Sequence, residues 1–317
     1  MMHLLELIIP TVLFFSAPLI FTALGGVFSE RAGVVNIGLE GLMVIGAFVG
    51  IVFNLTFADV LGGWTPWISL LVAIVVGAIF SIIHAIASVS FYADQTVSGV
   101  AINMLALGLG IYLTKIWYGK GQTDMVEEGF NSTTIPGLSE IPIIGPIFFE
   151  GIYVTSYIAI VLAIIVWFVL YKTAFGLRLR AVGEHPMAAD TNGINVSRMR
   201  YVAVILSGAL GGLGGAVFAL TIVDNFSHST IVGQGFMALA AVIFGKWHPL
   251  GAMGAALFFG FAQSLSIVSS GIPILEDIPQ VYLLIAPYVL TILALAGFIG
   301  RADAPKASGV PYIKGSR

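Results

Sequence analysis

Long apolar runs constrain this chain more than any other feature. A helix that crosses a bilayer needs about 20 mostly apolar residues, whereas a membrane β-strand needs only about 10 residues of alternating character. The run lengths therefore predict an all-α fold, a polytopic transmembrane helix bundle of about nine spans, within a range of eight to ten. The run 233–245 is short and predicts a partial or re-entrant helix. The predicted runs are 4–26, 33–54, 67–91, 96–118, 152–171, 201–223, 233–245, 250–269 and 280–299.

The scarcity of charge agrees with this class. Only 9% of the 317 residues are charged, against about 25% in soluble domains. An ordinary soluble enzyme and a disordered chain are therefore excluded, and the net charge of −3 gives no basic surface for nucleic acid. The chain has no cysteine, so disulfides, zinc–thiolate sites and a cysteine nucleophile are excluded as well.

Lysine and arginine in the loops predict the orientation, because cytoplasmic loops are enriched in them. Loop 172–200 and the tail 301–317 are basic and are predicted to be cytoplasmic, whereas loop 119–151 is acidic and is predicted to lie outside. Nine spans then place the N-terminus outside and the loop with Arg31 inside. Residues 1–300 would form one transmembrane domain in the cell membrane. Met1–Ile9 contains no lysine or arginine, so no secretory signal is expected.

Signatures of catalysis are missing from the sequence. It contains no Walker A loop, no H-E-x-x-H motif and no G-x-S-x-G motif. The five histidines are scattered without the spacing of metal ligands. We therefore expect a chain that is not an enzyme, with no catalytic residue, no metal and no cofactor of its own.

Polar residues inside the predicted spans are the candidates for a solute path, because they are costly in a bilayer. Asn36 and Glu40 would share one face if their stretch is helical. Glu40 has a structural alternative, in which it holds Arg31 or a helix N-terminus. His84 could instead be a structural residue of the core, and the other candidates could form hydrogen bonds between helices. The candidates are Asn36, Glu40, His84, Gln95, Ser98, Asn103 and Gln263.

Small residues four apart predict close helix crossings in the bundle. The pairs are Gly46 with Gly50, Gly208 with Gly212 and Gly211 with Gly215. The segment 208–216 is especially rich in glycine, which fits either close packing or flexing during a conformational cycle.

Loop 172–200 predicts a short helix between two spans. Pro186 suits a first helical position, and Gly193 suits the left-handed residue that ends a helix. The exposed alanines, Ala188 and Ala189, would let another protein approach closely.

This loop resembles the coupling loop of ABC-transporter permeases that import branched-chain amino acids, ribose and nucleosides. The pattern G-x-x-x-x-A-A-x-x-x-G-I falls on residues 183–194. The stretch 28–43, FSERAGVVNIGLEGLM, resembles permeases for nucleosides and related simple sugars, and GFMALAAVIFGKWHPLG at 235–251 is a third match. Together the matches extend from about residue 20 to 300.

The resemblance implies a membrane permease that imports nucleosides or related uncharged, sugar-like solutes by alternating access. A separate cytoplasmic P-loop ATPase would bind ATP and magnesium and drive the cycle. A second, non-identical permease and an extracellular solute-binding protein or lipoprotein would complete the transporter. The residues that the resemblance assigns to ATPase coupling are Gly183, Glu184, Pro186, Ala188, Ala189, Gly193 and Ile194.

Other functions stay open at this point. The same type of permease could carry ribose, another sugar or a branched-chain amino acid, although the scarcity of charge in the spans favours an uncharged solute. An ion-coupled secondary transporter would use Glu40 or His84, and would leave the coupling loop without a purpose. An enzyme embedded in the membrane is the weakest alternative.

Overall fold

The structure is mostly helical, which confirms the all-α prediction. The computed structural model describes residues 2–268, the single residues 282, 285 and 289, and residues 304–314. Two short strands, β1 (Ser132–Thr133) and β2 (Ile152–Tyr153), pair antiparallel. The helices are α1 (Met2–Arg31), α2 (Leu39–Leu61), α3 (Thr65–Ala85), α4 (Gln95–Tyr118), α5 (Ile144–Phe148), α6 (Val154–Lys172), α7 (Ala174–Glu184), α8 (Pro186–Thr191), α9 (Val196–Phe218), α10 (Gln234–Phe244) and α11 (Pro249–Val268).

Most of the predicted spans coincide with apolar helices. Within the described residues, five stretches are long and apolar enough to cross a membrane, and the second contains both α2 and α3. Helix α10 is apolar but has only 11 residues, so the prediction of a partial helix at 233–245 is confirmed. Helix α11, with 20 residues, coincides with the predicted run 250–269. The predicted run 280–299 lies outside the described residues, apart from single positions. The five stretches are Leu5–Arg31, Leu39–Ser90, Gln95–Tyr118, Val154–Lys172 and Val196–Val223.

Helix α9 forms the centre of the bundle and packs against α1, α2 and α3. In its most apolar window, 72% of the residues are buried inside the protein. A Cβ atom at Gly212 would overlap the Ala73 carbonyl of α3, and one at Gly215 would overlap the Met43 carbonyl of α2. The glycines of 208–216 are therefore required for close helix crossings, as the small-residue spacing predicted. Flexing of this segment stays a prediction.

The connection between α1 and α2 is not helical, and we call residues 32–38 the inner segment. The prediction of one helix over 33–54 is therefore wrong at its start, because α2 begins at Leu39. Gly33 adopts a φ of +83° and ends α1, and the β-branched Val34 and Val35 favour extended backbone. As a result, Asn36 and Glu40 do not share a helix face.

The basic loops and the tail lie together at one end of the bundle, which we call the basic end. It contains Arg31, α7, α8, Arg200 and residues 304–314. At the opposite end, residues 119–153 pack against the loop after α9, with backbone hydrogen bonds from Thr123 to Phe226 and from Val126 to Asp224. The orientation prediction requires Arg31, loop 172–200 and the tail to share one side, and they do.

Candidate functional site

Polar side chains from three helices surround the inner segment. The Val35 N–H donates to Gln95 Oε1 at 2.7 Å, and the Val35 carbonyl lies 3.1 Å from His84 Nε2. The other ring nitrogen of His84 lies 2.9 Å from Ser98 Oγ. Backbone that leaves the helical conformation inside a bilayer must find other partners, because no water is available there. Three of the candidate path residues therefore support the backbone at Val35.

Asn103 also forms hydrogen bonds with the backbone, a few residues further along the chain. Its Nδ2 donates to the Ile37 carbonyl at 3.1 Å, and its Oδ1 accepts from the Gly41 N–H at 2.7 Å. One side chain thus joins the end of the inner segment to the first turn of α2. Asn36 donates from Nδ2 to Ser207 Oγ of α9 at 2.8 Å.

Two buried polar atoms in this cluster have no hydrogen-bond partner in the part of the chain that the structure describes. They are Asn36 Oδ1 and Gln95 Nε2. Both side chains are almost fully buried, at 1% and 2% exposed. One acceptor and one donor therefore remain unpaired beside the inner segment.

Glu40 joins α2 to α10. Its Oε1 accepts from the Gly233 N–H and its Oε2 from the Gly235 N–H, both at 2.6 Å. These donors belong to the first turn of α10, which begins inside the bundle with no side-chain cap of its own. Of the alternatives for Glu40, the structure shows the carboxylate that holds a helix N-terminus. Arg31 pairs instead with Glu184, at 3.9 Å.

Gln263 does not join this cluster. Its Nε2 faces the Met237 sulfur at 3.7 Å, between α11 and α10. The structure therefore brings together Asn36, Glu40, His84, Gln95, Ser98 and Asn103 around the inner segment and the start of α2. Whether they line a solute path stays a prediction.

Loop 172–200 contains two helices, α7 and α8, of which the sequence predicted one. Helix α8 begins at Pro186, and Gly193 follows it with a φ of +78°, as predicted. Ala188 is exposed, whereas Ala189 is only 4% exposed and packs on the protein. Helix α7 was missed, because its positive charges resemble a solvated loop in the sequence. It ends at Gly183 and Glu184, which contact the end of α1.

Sequence reasoning also missed a cluster that joins α1 to the turn after α10. Glu30, buried at the end of α1, accepts a hydrogen bond from the Trp247 indole N–H. Arg31 Nε donates to the Trp247 carbonyl at 2.8 Å. Burial lowers the pKa of His248, and the positive charge of Arg31 lowers it further. More than 200 positions separate these partners in the sequence, which left no local signal for the pairing.

Comparisons with known proteins agree with the resemblance. A family profile described as branched-chain amino acid transport system, permease component, matches residues 8–295. The guanosine ABC transporter permease protein NupQ of Bacillus subtilis is 66% identical over 315 residues, which are 99% of each chain. The nucleoside ABC transporter permease protein NupC of Lactococcus lactis is 54% identical over 98% of each chain. The guanosine ABC transporter permease protein NupP of the same Bacillus strain is 26% identical over 83% of this chain and 74% of its own.

Proposed function

Because this chain belongs to the family of permease components of branched-chain amino acid transport systems, we propose that it imports nucleosides as a membrane subunit of an ABC transporter. One observation carries the choice of solute. The chain is 66% identical over nearly its whole length to a permease named for guanosine. A second relative, at 54% identity, is named for nucleosides. Guanosine is therefore the first solute to test.

The position of Glu40 favours an uncharged solute. A helix N-terminus inside a transporter commonly faces an anionic group of the substrate. Here the Glu40 carboxylate already accepts the Gly233 and Gly235 N–H groups of α10. An amino acid carboxylate would have to displace it, whereas a nucleoside carries no such group. The unpaired Asn36 Oδ1 and Gln95 Nε2 offer an acceptor and a donor to a neutral, hydroxyl-bearing solute when the path opens.

The family implies an ATPase partner and a solute-binding protein. In this proposal α8 lies in a groove of the ATPase, which binds ATP and magnesium, and the basic end is cytoplasmic. The exposed Ala188 and Met187, which is 54% exposed, supply the contact surface. The solute-binding protein docks at the opposite end of the bundle.

A second, non-identical permease completes the membrane part in our proposal. Two different relatives of this chain in one Bacillus strain are both named as guanosine permeases. The matched region covers a smaller share of NupP than of this chain, so that relative is the longer protein. We expect the partner to be a longer sister permease of that kind.

The experiment is uptake by the assembled transporter. The chain, tagged, is purified from its native membrane in mild detergent, its bound proteins are identified, and the complex is placed in liposomes with its binding protein. We expect a P-loop ATPase and a second permease to copurify, and ATP-dependent uptake of labelled guanosine. Leucine and ribose are tested in parallel, and the control is an ATPase in which the Walker A lysine is replaced. Uptake of leucine or ribose in place of guanosine would overturn the choice of solute, and uptake that persists without ATP would indicate an ion-coupled transporter.

A further inference from the structure

The last turn of α7 lies between the inner segment and the C-terminal residues. A Cβ atom at Gly183 would overlap the Arg31 carbonyl and lie 3.2 Å from the Gly33 nitrogen. On its other side, the Gly183 carbonyl accepts a hydrogen bond from the Ala307 N–H at 2.9 Å. A single residue of the coupling loop therefore contacts both segments.

Arg200 is a buried cation that the proposed solute path and coupling surface do not use. It is 1% exposed, and its Nη1 donates to the Val310 carbonyl at 3.0 Å. Its Nε and Nη2 atoms have no hydrogen-bond partner in the described part of the chain. A Cβ atom at Gly33 would lie 3.1 Å from Nη2 and 3.0 Å from the Ala307 carbonyl. The guanidinium group thus lies between the inner segment and the C-terminal residues.

A buried, incompletely paired charge is a poor source of stability, since a well-packed apolar side chain of similar size is often as stable or more so. Arg200 therefore needs an explanation other than folding energy. What the charge provides here is a fixed contact between α9, the inner segment and the Val310 backbone.

The residues after 304 also contact α8, on the side that faces the protein interior. Tyr312 packs against the small apolar cluster of Val182, Ala189 and Val196. Lys314 Nζ lies 3.6 Å from Asp190 Oδ1 of α8. These contacts lie on the side of α8 that carries the buried Ala189, and they leave Ala188 exposed.

We propose that residues 305–314 form a strap, fastened by Arg200 as a positioning residue, which makes α8 and the inner segment move as one body. This inference rests on the proposed function. Two ion pairs of the described residues, Arg31 with Glu184 at 3.9 Å and Lys314 with Asp190 at 3.6 Å, are both partly exposed, so neither is a strong connection. The strap acts instead through the hydrogen bonds of Ala307 with Gly183 and of Arg200 with Val310, and through the packing of Tyr312. Through the strap, a displacement of α8 by the ATPase reaches the inner segment, the start of α2 and the Glu40 contact with α10.

The test compares Arg200→Met with Arg198→Met, an exposed arginine on the same turn of α9, in the assembled transporter in liposomes. Guanosine uptake and ATP hydrolysis are measured together. In Arg200→Met we expect the ATP hydrolysed per solute to rise about 5- to 100-fold, the range of a typical coupling energy, with the KM for guanosine unchanged. Arg198→Met should keep the wild-type ratio, and Arg200→Lys should restore part of it. An unchanged ratio in Arg200→Met would overturn the proposal.

A cross-link tests the strap without removing a buried group. The chain has no cysteine, so a double variant, Asp190→Cys with Lys314→Cys, can be joined by a bifunctional thiol reagent. If α8 and the strap move together, the cross-linked transporter retains uptake, and loss of uptake only after cross-linking would overturn the proposal. Wild-type uptake in the same assay separates the two claims, because a transporter that does not carry guanosine fails in the wild type as well.

Discussion

At the scale of single residues, three polar side chains inside the spans form hydrogen bonds with backbone. His84, Gln95 and Asn103 all bond to the inner segment. Each replaces a partner that the backbone would have in a helix. Removing one of them leaves a buried N–H or carbonyl unpaired, which costs about 1–3 kcal/mol for each group.

Asn103→Leu should therefore destabilise the protein by about 2–6 kcal/mol, because both the Ile37 carbonyl and the Gly41 N–H lose their partner. The matched control is Gln263→Leu, which loses only a contact with the Met237 sulfur. The measurement is the midpoint of thermal unfolding of the purified complex in detergent. Equal midpoints for the two variants would mean that Asn103 does not support the inner segment.

Glu40 gives a prediction about specificity. In Glu40→Ala, the Gly233 and Gly235 N–H groups at the start of α10 lose their acceptor, and a helix N-terminus attracts anions. We expect guanosine monophosphate to compete poorly with guanosine uptake in the wild type and about 10-fold better in Glu40→Ala, within the energy of a helix-dipole interaction. Glu40→Gln, which keeps one acceptor oxygen, is the control and should change less. Unaltered competition in Glu40→Ala would show that Glu40 does not select against anionic solutes.

Sequence reasoning found these residues but not their partners. Asn36, Glu40, His84, Gln95, Ser98 and Asn103 stood out because polar groups are rare in apolar runs. His84, Gln95 and Asn103 bond an extended backbone that the sequence hides, since Val34, Val35 and Ile37 of the inner segment continue the apolar run of α2. Asn36 bonds Ser207 of α9 and Glu40 bonds the start of α10, and both partners are distant in the sequence. The same limit applies to Arg200, whose partner Val310 is 110 positions away.

At the scale of elements, α8 was predictable because its signals are local. Pro186 begins it and Gly193, with a φ of +78°, follows its end. Half-helix α10 was predictable from its length alone. The break at 32–38 was not, because apolar content does not separate a helix from a buried extended segment.

The coupling of this permease to its ATPase can be tested at helix α8. Ala188→Arg should abolish uptake while leaving membrane insertion intact, because the side chain is exposed and would obstruct the ATPase groove without disturbing the fold. Ser197→Arg, at an exposed position of α9, is the control of equal size. Uptake and the amount of permease in the membrane are measured for both. Normal uptake in Ala188→Arg would remove α8 from the coupling role.

Gly193→Pro should also uncouple the permease from its ATPase, in this case by changing the end of α8. Proline cannot adopt a positive φ and has no N–H to donate to the Asp190 carbonyl, at 2.9 Å in the wild type. The end of α8 would then shift while the bundle remains assembled. We expect uptake to be lost, with the wild-type amount of permease in the membrane, and normal uptake would contradict the assignment of this turn to coupling.

At the scale of the whole molecule, the structure links three sequence segments that the charge rule treats separately. Arg31, loop 172–200 and the tail share the basic end, because Glu184 pairs with Arg31 and Lys314 with Asp190. All three segments therefore lie on the same side of the membrane. One labelled position at each end of the bundle is enough to determine which side that is. Lys314→Cys lies at the basic end, where the lysine side chain is 81% exposed. Met125→Cys lies at the opposite end, where the methionine is 67% exposed.

A membrane-impermeant thiol reagent applied to intact cells should label Met125→Cys at once and Lys314→Cys only after permeabilisation. The unmodified chain has no cysteine and serves as the blank. Since the loops of the basic end carry the excess of lysine and arginine, the inverted pattern would break the charge rule. It would also place α8 outside the cell, where no ATPase could reach it. A cytoplasmic basic end, by contrast, puts α8, the strap and the inner segment in one continuous packed path from the ATPase surface to Glu40.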